Sequence, residues 1–255
     1  MKRVTIKDLA KMLNLSISTI SRALNDHPDI SEETKLRVKE TAKTFNYRVN
    51  LQARFFRKKH SRLLALIMPE INMFYAPSLI EGVNKTIGES DYTLVIFQSD
   101  NSIEKEKKIT EQCISWAVEG VMISVAAESN LKNTKHLEEL EYAGIKVLQF
   151  DRVIPETKNP CITIDNVASA KRATRYLTDK GHQKILGIFG HPDLSITMER
   201  EVGFKLALNE ANIPLDNQKI IMIQNPQSLN AILPDIIKEK KYTALFAMTD
   251  EAMYY

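Results

Sequence analysis

At 255 residues and 44% hydrophobic content, the chain has apolar material for a sizeable core and for more than one structural unit. No apolar run approaches a membrane span, and the opening MKRVTIKDLAKML is charged and helically periodic where a secretory leader would be uninterrupted and apolar; the two cysteines, Cys113 and Cys161, are too far apart for a C-x-x-C motif and give no disulfide framework or zinc ribbon. The net charge of +3 conceals an asymmetry, for Met1 to Arg62 holds 15 Lys and Arg against 6 Asp and Glu, while the rest holds 20 against 26.

The basic segment carries its own folding signals. Ile6, Leu9, Ala10 and Leu13 recur at i, i+3, i+4 and i+7, and Thr5 with Asp8 forms a capping box that satisfies the free N–H groups of a first turn. After a short break Ser16 caps a second helix, with Ile20, Ala23 and Leu24 inward and Ile17, Ser18, Ser21, Arg22 and Asn25 on the other side. A third helix starts at Ser31, places Glu32 and Glu33 at the positive end of its dipole, and is expected to bury Val38, Ala42 and Phe45. The first two helices and their tight turn read as a helix-turn-helix. Short hydroxyls along the second helix let its backbone approach base edges and phosphates, and Arg22 can reach guanine O6 and N7 with two parallel bonds. The competing reading is a helical hairpin whose serines only cap and solvate.

The stretch VTIKDLAKMLNLSISTISRALNDHPDISEETKLRVKETAKTFNYRVN resembles, over nearly its full length, the DNA-binding headpiece of the lactose-repressor and purine-repressor (LacI/GalR) family of bacterial transcription regulators. The resemblance implies that Ile17, Ser18 and Arg22 read bases, that Thr5, Ser16, Thr19, Ser21 and Asn25 hold phosphates or adjacent edges, and that Tyr47 touches the backbone. Isoleucine cannot hydrogen-bond, so Ile17 would meet a thymine methyl.

Residues 48–62, RVNLQARFFRKKHSR, would otherwise read as a basic linker. By resemblance they form a hinge that becomes helical only on operator DNA, with Asn50, Ala53 and Arg54 on the duplex and Phe56 as an apolar wedge between central bases. The family usually has leucine at Phe56 and commonly proline at Val49, two departures that leave the kink and the preferred central step open. The alternative is that Phe55 and Phe56 pack on the adjoining domain.

Beyond Arg62 the pattern changes. LLALIM, TLVIF, GVMISV, KVLQF, CITI, ILGIF and ALFAM are short apolar runs suited to parallel strands, separated by amphipathic stretches such as 76–89, 103–117 and 166–180. The expected fold is therefore an all-α headpiece (residues 1–47), a hinge (48–62) and an α/β domain of two lobes, 63–160 and 161–255. The resemblance makes this a periplasmic-binding-protein-like effector domain that takes a small molecule, a sugar by expectation, between its lobes. Family members ordinarily run further, and here the chain stops at TDEAMYY after the strand ALFAM, so the second lobe is expected to be incomplete with an exposed sheet edge.

Ligands of open α/β sheets lie beyond the carboxyl ends of strands, where FQSDN, FDR and AMTDE place Asp100, Asp151 and Asp250. By resemblance MEREVGF carries the effector-binding arginine, Arg200, with Asp250 as acidic partner, and Tyr75 stacks on the ligand beside Ala76, where a second aromatic is frequent. Asp151 could instead pair with Arg152, Asp100 could cap the helix at 103, and Tyr75 could belong to the core. No catalytic, metal or cofactor signature emerges: GIFGHP offers only Gly187 and Gly190, G-x-S-x-G and G-K-[ST] are absent, and the five histidines keep no metal spacing. The expectation is a homodimeric, cytoplasmic, nucleoid-associated regulator, a repressor of a palindromic operator, bound to no membrane. The alternative is a cytoplasmic sugar-binding or sugar-processing α/β protein with an incidental basic N-terminus.

Overall fold

The computed structural model describes residues 4–47, 60–72, 74–127, 135–154, 157–223 and 227–250. The chain divides into two compact units, Met1–His60 and Ser61–Tyr255.

In the first unit, α1 (Ile6–Leu13) starts on a complete capping box: Thr5 Oγ1 accepts the Asp8 amide at 3.3 Å and Asp8 Oδ2 accepts the Thr5 amide at 2.9 Å. Asn14 ends it in the left-handed conformation (φ 53°), which asparagine tolerates and which turns the chain within two residues to the next cap. Ser16 Oγ accepts the Thr19 amide at 3.0 Å and starts α2 (Ile17–Leu24); Ser31 does the same for Thr34 at the head of α3 (Glu32–Thr44). The core is Leu9, Ala10, Ile20, Ala23, Val38 and Ala42, with Ile17, Leu24 and Tyr47 packed at its edge. Phe45, expected inside, is 46% exposed. It is the C-cap of α3, past the last inward turn. Tyr47 takes the inner place instead, its amide donating to the Ala42 carbonyl at 2.8 Å.

The second unit holds two parallel sheets. In the first, β1 (Leu63–Met68), β2 (Thr93–Gln98), β3 (Gly120–Ile123), β4 (Lys146–Phe150) and β5 (Cys161–Ile162) lie in the order β2-β1-β3-β4-β5. The helices between them are α4 (Ala76–Ile87), α5 (Ile103–Ser115) and α6 (Lys135–Tyr142). Alternate residues of β1 serve opposite faces: Ala65 and Ile67 join Cys113, Leu137 and Leu140 from α5 and α6, whereas Leu66 and Met68 join Ala76, Leu79 and Ile80 from α4. The sequence division at residue 160 puts CITI in the second lobe; pairing of Cys161–Ile162 with β4 puts that strand in the first sheet.

The second sheet has the order β7-β6-β8, from β6 (Ile185–Phe189), β7 (Lys219–Met222) and β8 (Ala244–Ala247), accompanied by α7 (Asn166–Asp179), α8 (Ser195–Glu210) and α9 (Gln227–Lys238). Phe189, Phe204 and Phe246 form an aromatic triad under α7 and α8, with centroids 5.3 to 5.6 Å apart. Close contact between these helices requires Gly203, where a Cβ would meet the Val167 carbonyl oxygen at 2.3 Å. The strand β7, not among the runs expected from the sequence, carries KIIM, of which only Ile221 is buried.

Candidate nucleic-acid interface and effector site

Helix α2 has one face sealed and one face open. Ile20 and Ala23 are completely buried, while Ser16, Ser18, Arg22 and Asn25 are exposed and Ile17, Thr19 and Ser21 half-buried. The hydroxyls at its head form a cluster, with Ser16 Oγ 2.7 Å from Ser18 Oγ and 2.8 Å from Thr19 Oγ1. Asn25 closes the other end by donating Nδ2–H to the Ser21 carbonyl at 2.6 Å. Arg22 stands out from the last turn, its side chain 57% exposed and one guanidinium nitrogen 3.8 Å from Asp29. Ile17 differs from the expectation of an outward residue, since part of it packs on the core. Thr5 is exposed at the cap of α1, and Tyr47 is half-buried against the core cluster. An exposed row of short hydroxyls ending in a guanidinium can hydrogen-bond phosphates and a base edge together. The hinge candidates Asn50, Ala53, Arg54 and Phe56 lie outside the described residues.

In the larger unit two of the candidate effector residues follow the carboxyl ends of strands. Asp100 follows β2 and Asp151 follows β4, both in the left-handed region (φ 50° and 56°) that aspartate tolerates. Tyr75, the N-cap of α4, donates its hydroxyl to Asp151 Oδ2 at 2.9 Å; Ser124, just past β3, lies 3.5 Å from the same oxygen. Burial, and then the Asp151 charge, push the Tyr75 hydroxyl above the ordinary tyrosine range. The same ring packs against the cluster of Leu66 and Met68, so Tyr75 belongs to the edge of that core while its hydroxyl reaches Asp151.

Arg200, on α8, donates Nε–H to Asn166 Oδ1 at 3.0 Å and a terminal N–H to the Met248 carbonyl at 2.5 Å. Burial lowers its pKa, against which the carboxylates of Asp151, Glu199 and Asp250 act in turn. Asn166 is itself buried and donates to Glu199 at 2.8 Å, so the guanidinium is held from behind in a fixed plane. Asp250 is exposed, three residues beyond β8.

Tyr75, Asp151 and Arg200 are thus brought into one electrostatic neighbourhood with Asp250, whereas Asp100 is not. Its carboxylate pairs with Lys105 and Gln98, hydrogen bonds that hold its pKa below the ordinary value, and it borders an open depression with Glu70, Ile71, Asn72 and Gln98. It does not cap the following helix; Ser102 does. Arg152 donates to Asn101 Oδ1 at 3.0 Å rather than closing on Asp151, and Asn101 also accepts the Ala127 amide at 3.0 Å. Ser124, Asn166 and the Met248 carbonyl escaped sequence reasoning. The signal was faint: a buried asparagine in the first turn of α7, directly after its Asp165 cap, has no local helical purpose. Behind the site, Glu106 and His136 form a fully buried pair at 2.7 Å, and the other Glu106 oxygen accepts the Ala126 amide at 2.6 Å, fixing the segment after β3.

Two family models match the chain: residues 5–50 fit the bacterial regulatory proteins of the lacI family, and residues 61–252 fit the periplasmic binding proteins and sugar binding domain of that family. Catabolite control protein A of Priestia megaterium is 29% identical over 252 residues, a match covering 97% of this chain and 74% of that protein. The HTH-type transcriptional regulator RegA of Clostridium acetobutylicum is 30% identical over 253 residues, with the same two shares. The solved lac repressor dimer bound to operator and the anti-inducer ONPF has the same fold, with a TM-score of 0.79 at 18% identity over 99% of this chain and 77% of that one.

Proposed function

This chain belongs to the lacI family of bacterial regulatory proteins, and from that membership we propose a repressor whose paired headpieces grip a palindromic operator and whose larger unit answers to a sugar. It is a DNA-binding transcription regulator with a helix-turn-helix and a domain of the family's sugar-binding kind. Ser18, Arg22 and Ile17 read bases; Thr5, Ser16, Thr19, Ser21, Asn25 and Tyr47 hold the backbone; Asn50, Ala53, Arg54 and the Phe56 wedge extend the contact into the centre of the site. A single headpiece offers too few contacts for genomic discrimination, so a homodimer is required. The protein works in the cytoplasm, on the chromosome, and catalyses nothing.

The observation that carries this reading is the two-faced α2, sealed by Ile20 and Ala23 and lined outside by Ser16, Ser18 and Arg22. The effector reading rests on the carboxylate of Asp151 and the clamped guanidinium of Arg200, an acceptor and a donor suited to sugar hydroxyls. Tyr75 and Asp250 complete that set, joined by Ser124 and Asn166, while Asp100, paired with Lys105 and Gln98, stands outside it. Ligand closure of the lobes changes operator affinity by a coupling of about 1–3 kcal/mol.

Selection of duplexes from a random pool by the full chain tests the first part, and the expected product is one dyad-symmetric sequence. Titrating that duplex with and without a panel of sugars tests the second. A pool that never enriches refutes the DNA reading, and an affinity indifferent to every sugar refutes the effector reading.

A further inference from the structure

We infer that Asp29 is a positioning residue for Arg22 and sets how strongly the protein prefers its operator to random duplex; the inference rests on the proposal that Arg22 reads a base. Asp29 lies in the turn between α2 and α3, and its Oδ2 is 3.8 Å from the Arg22 guanidinium. The turn is fixed at its backbone, where the Asp29 amide donates to His27 Nδ1 at 3.3 Å and the Ile30 amide donates to the His27 carbonyl at 3.2 Å. Two neighbouring acids are engaged elsewhere, Asp26 with Lys39 and Glu32 with Lys35.

A guanidinium carries five donors in one plane, and a carboxylate on one edge leaves the other edge for guanine O6 and N7. Held this way, Arg22 meets a guanine already oriented. Released, the long side chain swings to the nearest phosphate, which every sequence supplies. The difference raises the ratio of operator to random binding. Because the pair is exposed, its effect is modest: surface pairs contribute up to about 1 kcal/mol, which is at most about a fivefold change in affinity.

The test uses the full chain, a duplex enriched from a random pool, and a scrambled duplex of equal length at fixed salt. Asp29→Asn is expected to raise affinity for the scrambled duplex and to lower the operator-to-scrambled ratio about two- to fivefold. Arg22→Ala lowers the ratio further, and adding Asp29→Asn to it then lowers the ratio no more. If Asp29→Asn changes both duplexes by one factor, or lowers the ratio equally with and without Arg22, Asp29 acts only as a charge and the inference is overturned while base reading by Arg22 stands. If Arg22→Ala leaves the ratio intact, the reading itself has failed and the inference goes with it.

Discussion

The residues proposed to meet DNA within the described headpiece run from Thr5 to Asn25, with Tyr47 added, and occupy two helices and one turn. Those proposed to meet the effector come from the head of α4 (Tyr75), the ends of β3 and β4 (Ser124, Asp151), the first turn of α7 (Asn166), α8 (Arg200) and the segment past β8. The headpiece makes a surface from neighbours in sequence, with its core no more than a support. The larger unit brings its candidate residues together only when its long-range packing is complete. Damage to packing should therefore abolish effector response at a distance, whereas damage in the headpiece should stay there.

The largest expected effect comes from Phe204→Ala. The ring is fully buried between Phe189 and Phe246, and its loss should cost about 3–5 kcal/mol in transfer and cavity terms. The sole tryptophan, Trp116, lies in the larger unit and reports its unfolding by fluorescence. A urea titration should show the Trp116 transition at lower urea, with protection of headpiece amides unchanged. A Trp116 transition that stays in place while helix content falls would instead divide the larger unit into two independently melting lobes.

The reciprocal experiment is Leu9→Ala, expected to cost about 2–5 kcal/mol. Leu9 is completely buried and touches α2 and α3 through the shared cluster. Operator binding should vanish while the Trp116 midpoint and sugar binding persist. Loss of sugar binding as well would show that the larger unit needs a folded headpiece to keep its own structure.

A smaller change separates local from tertiary support inside the headpiece. Thr5→Ala removes half of the capping box and should destabilise the headpiece by about 1 kcal/mol. Headpiece amide exchange should speed up about fivefold, and the Phe204 region should not respond.

What was legible in the sequence follows the same division. All three headpiece caps and the sealed face of α2 were readable because each depends on residues three or four apart. Phe45 was misplaced because helical spacing alone carries a pattern past the point where the helix ends, and Tyr47, outside that spacing, took the core position. Among strands, β1, β4 and β6 announced themselves as continuous apolar runs, while the short KIIM of β7 did not. In the site, Asp151 was accessible from its place at a strand end, but Ser124 and Asn166 were not. Their proposed place in the site exists only through contacts 27 and 34 residues away in the chain, with Asp151 and Arg200, and no local rule encodes those.

The finest test of the contrast is Tyr75→Phe, which keeps the ring that packs on Leu66 and removes only the hydroxyl that reaches Asp151. Ser124 remains near the same oxygen, so the loss at neutral pH should be no more than about 0.5–1.5 kcal/mol. Effector affinity should fall in the same experiment, because the carboxylate loses the donor that fixes its direction. The pH dependence carries the sharper sign. Burial and the Asp151 charge hold the Tyr75 hydroxyl protonated in the folded chain, whereas in the unfolded chain it ionises near ~10. Above that pH the unfolded state gives up a proton the folded state keeps, so the contribution is intact below about pH 10 and shrinks as pH rises. Urea midpoints at about pH 8 and about pH 10.5 should therefore fall more steeply for the parent protein than for Tyr75→Phe. Equal slopes would mean that the hydroxyl already ionises with solvent in the folded protein, and the tyrosine would then belong to the packing of α4 alone.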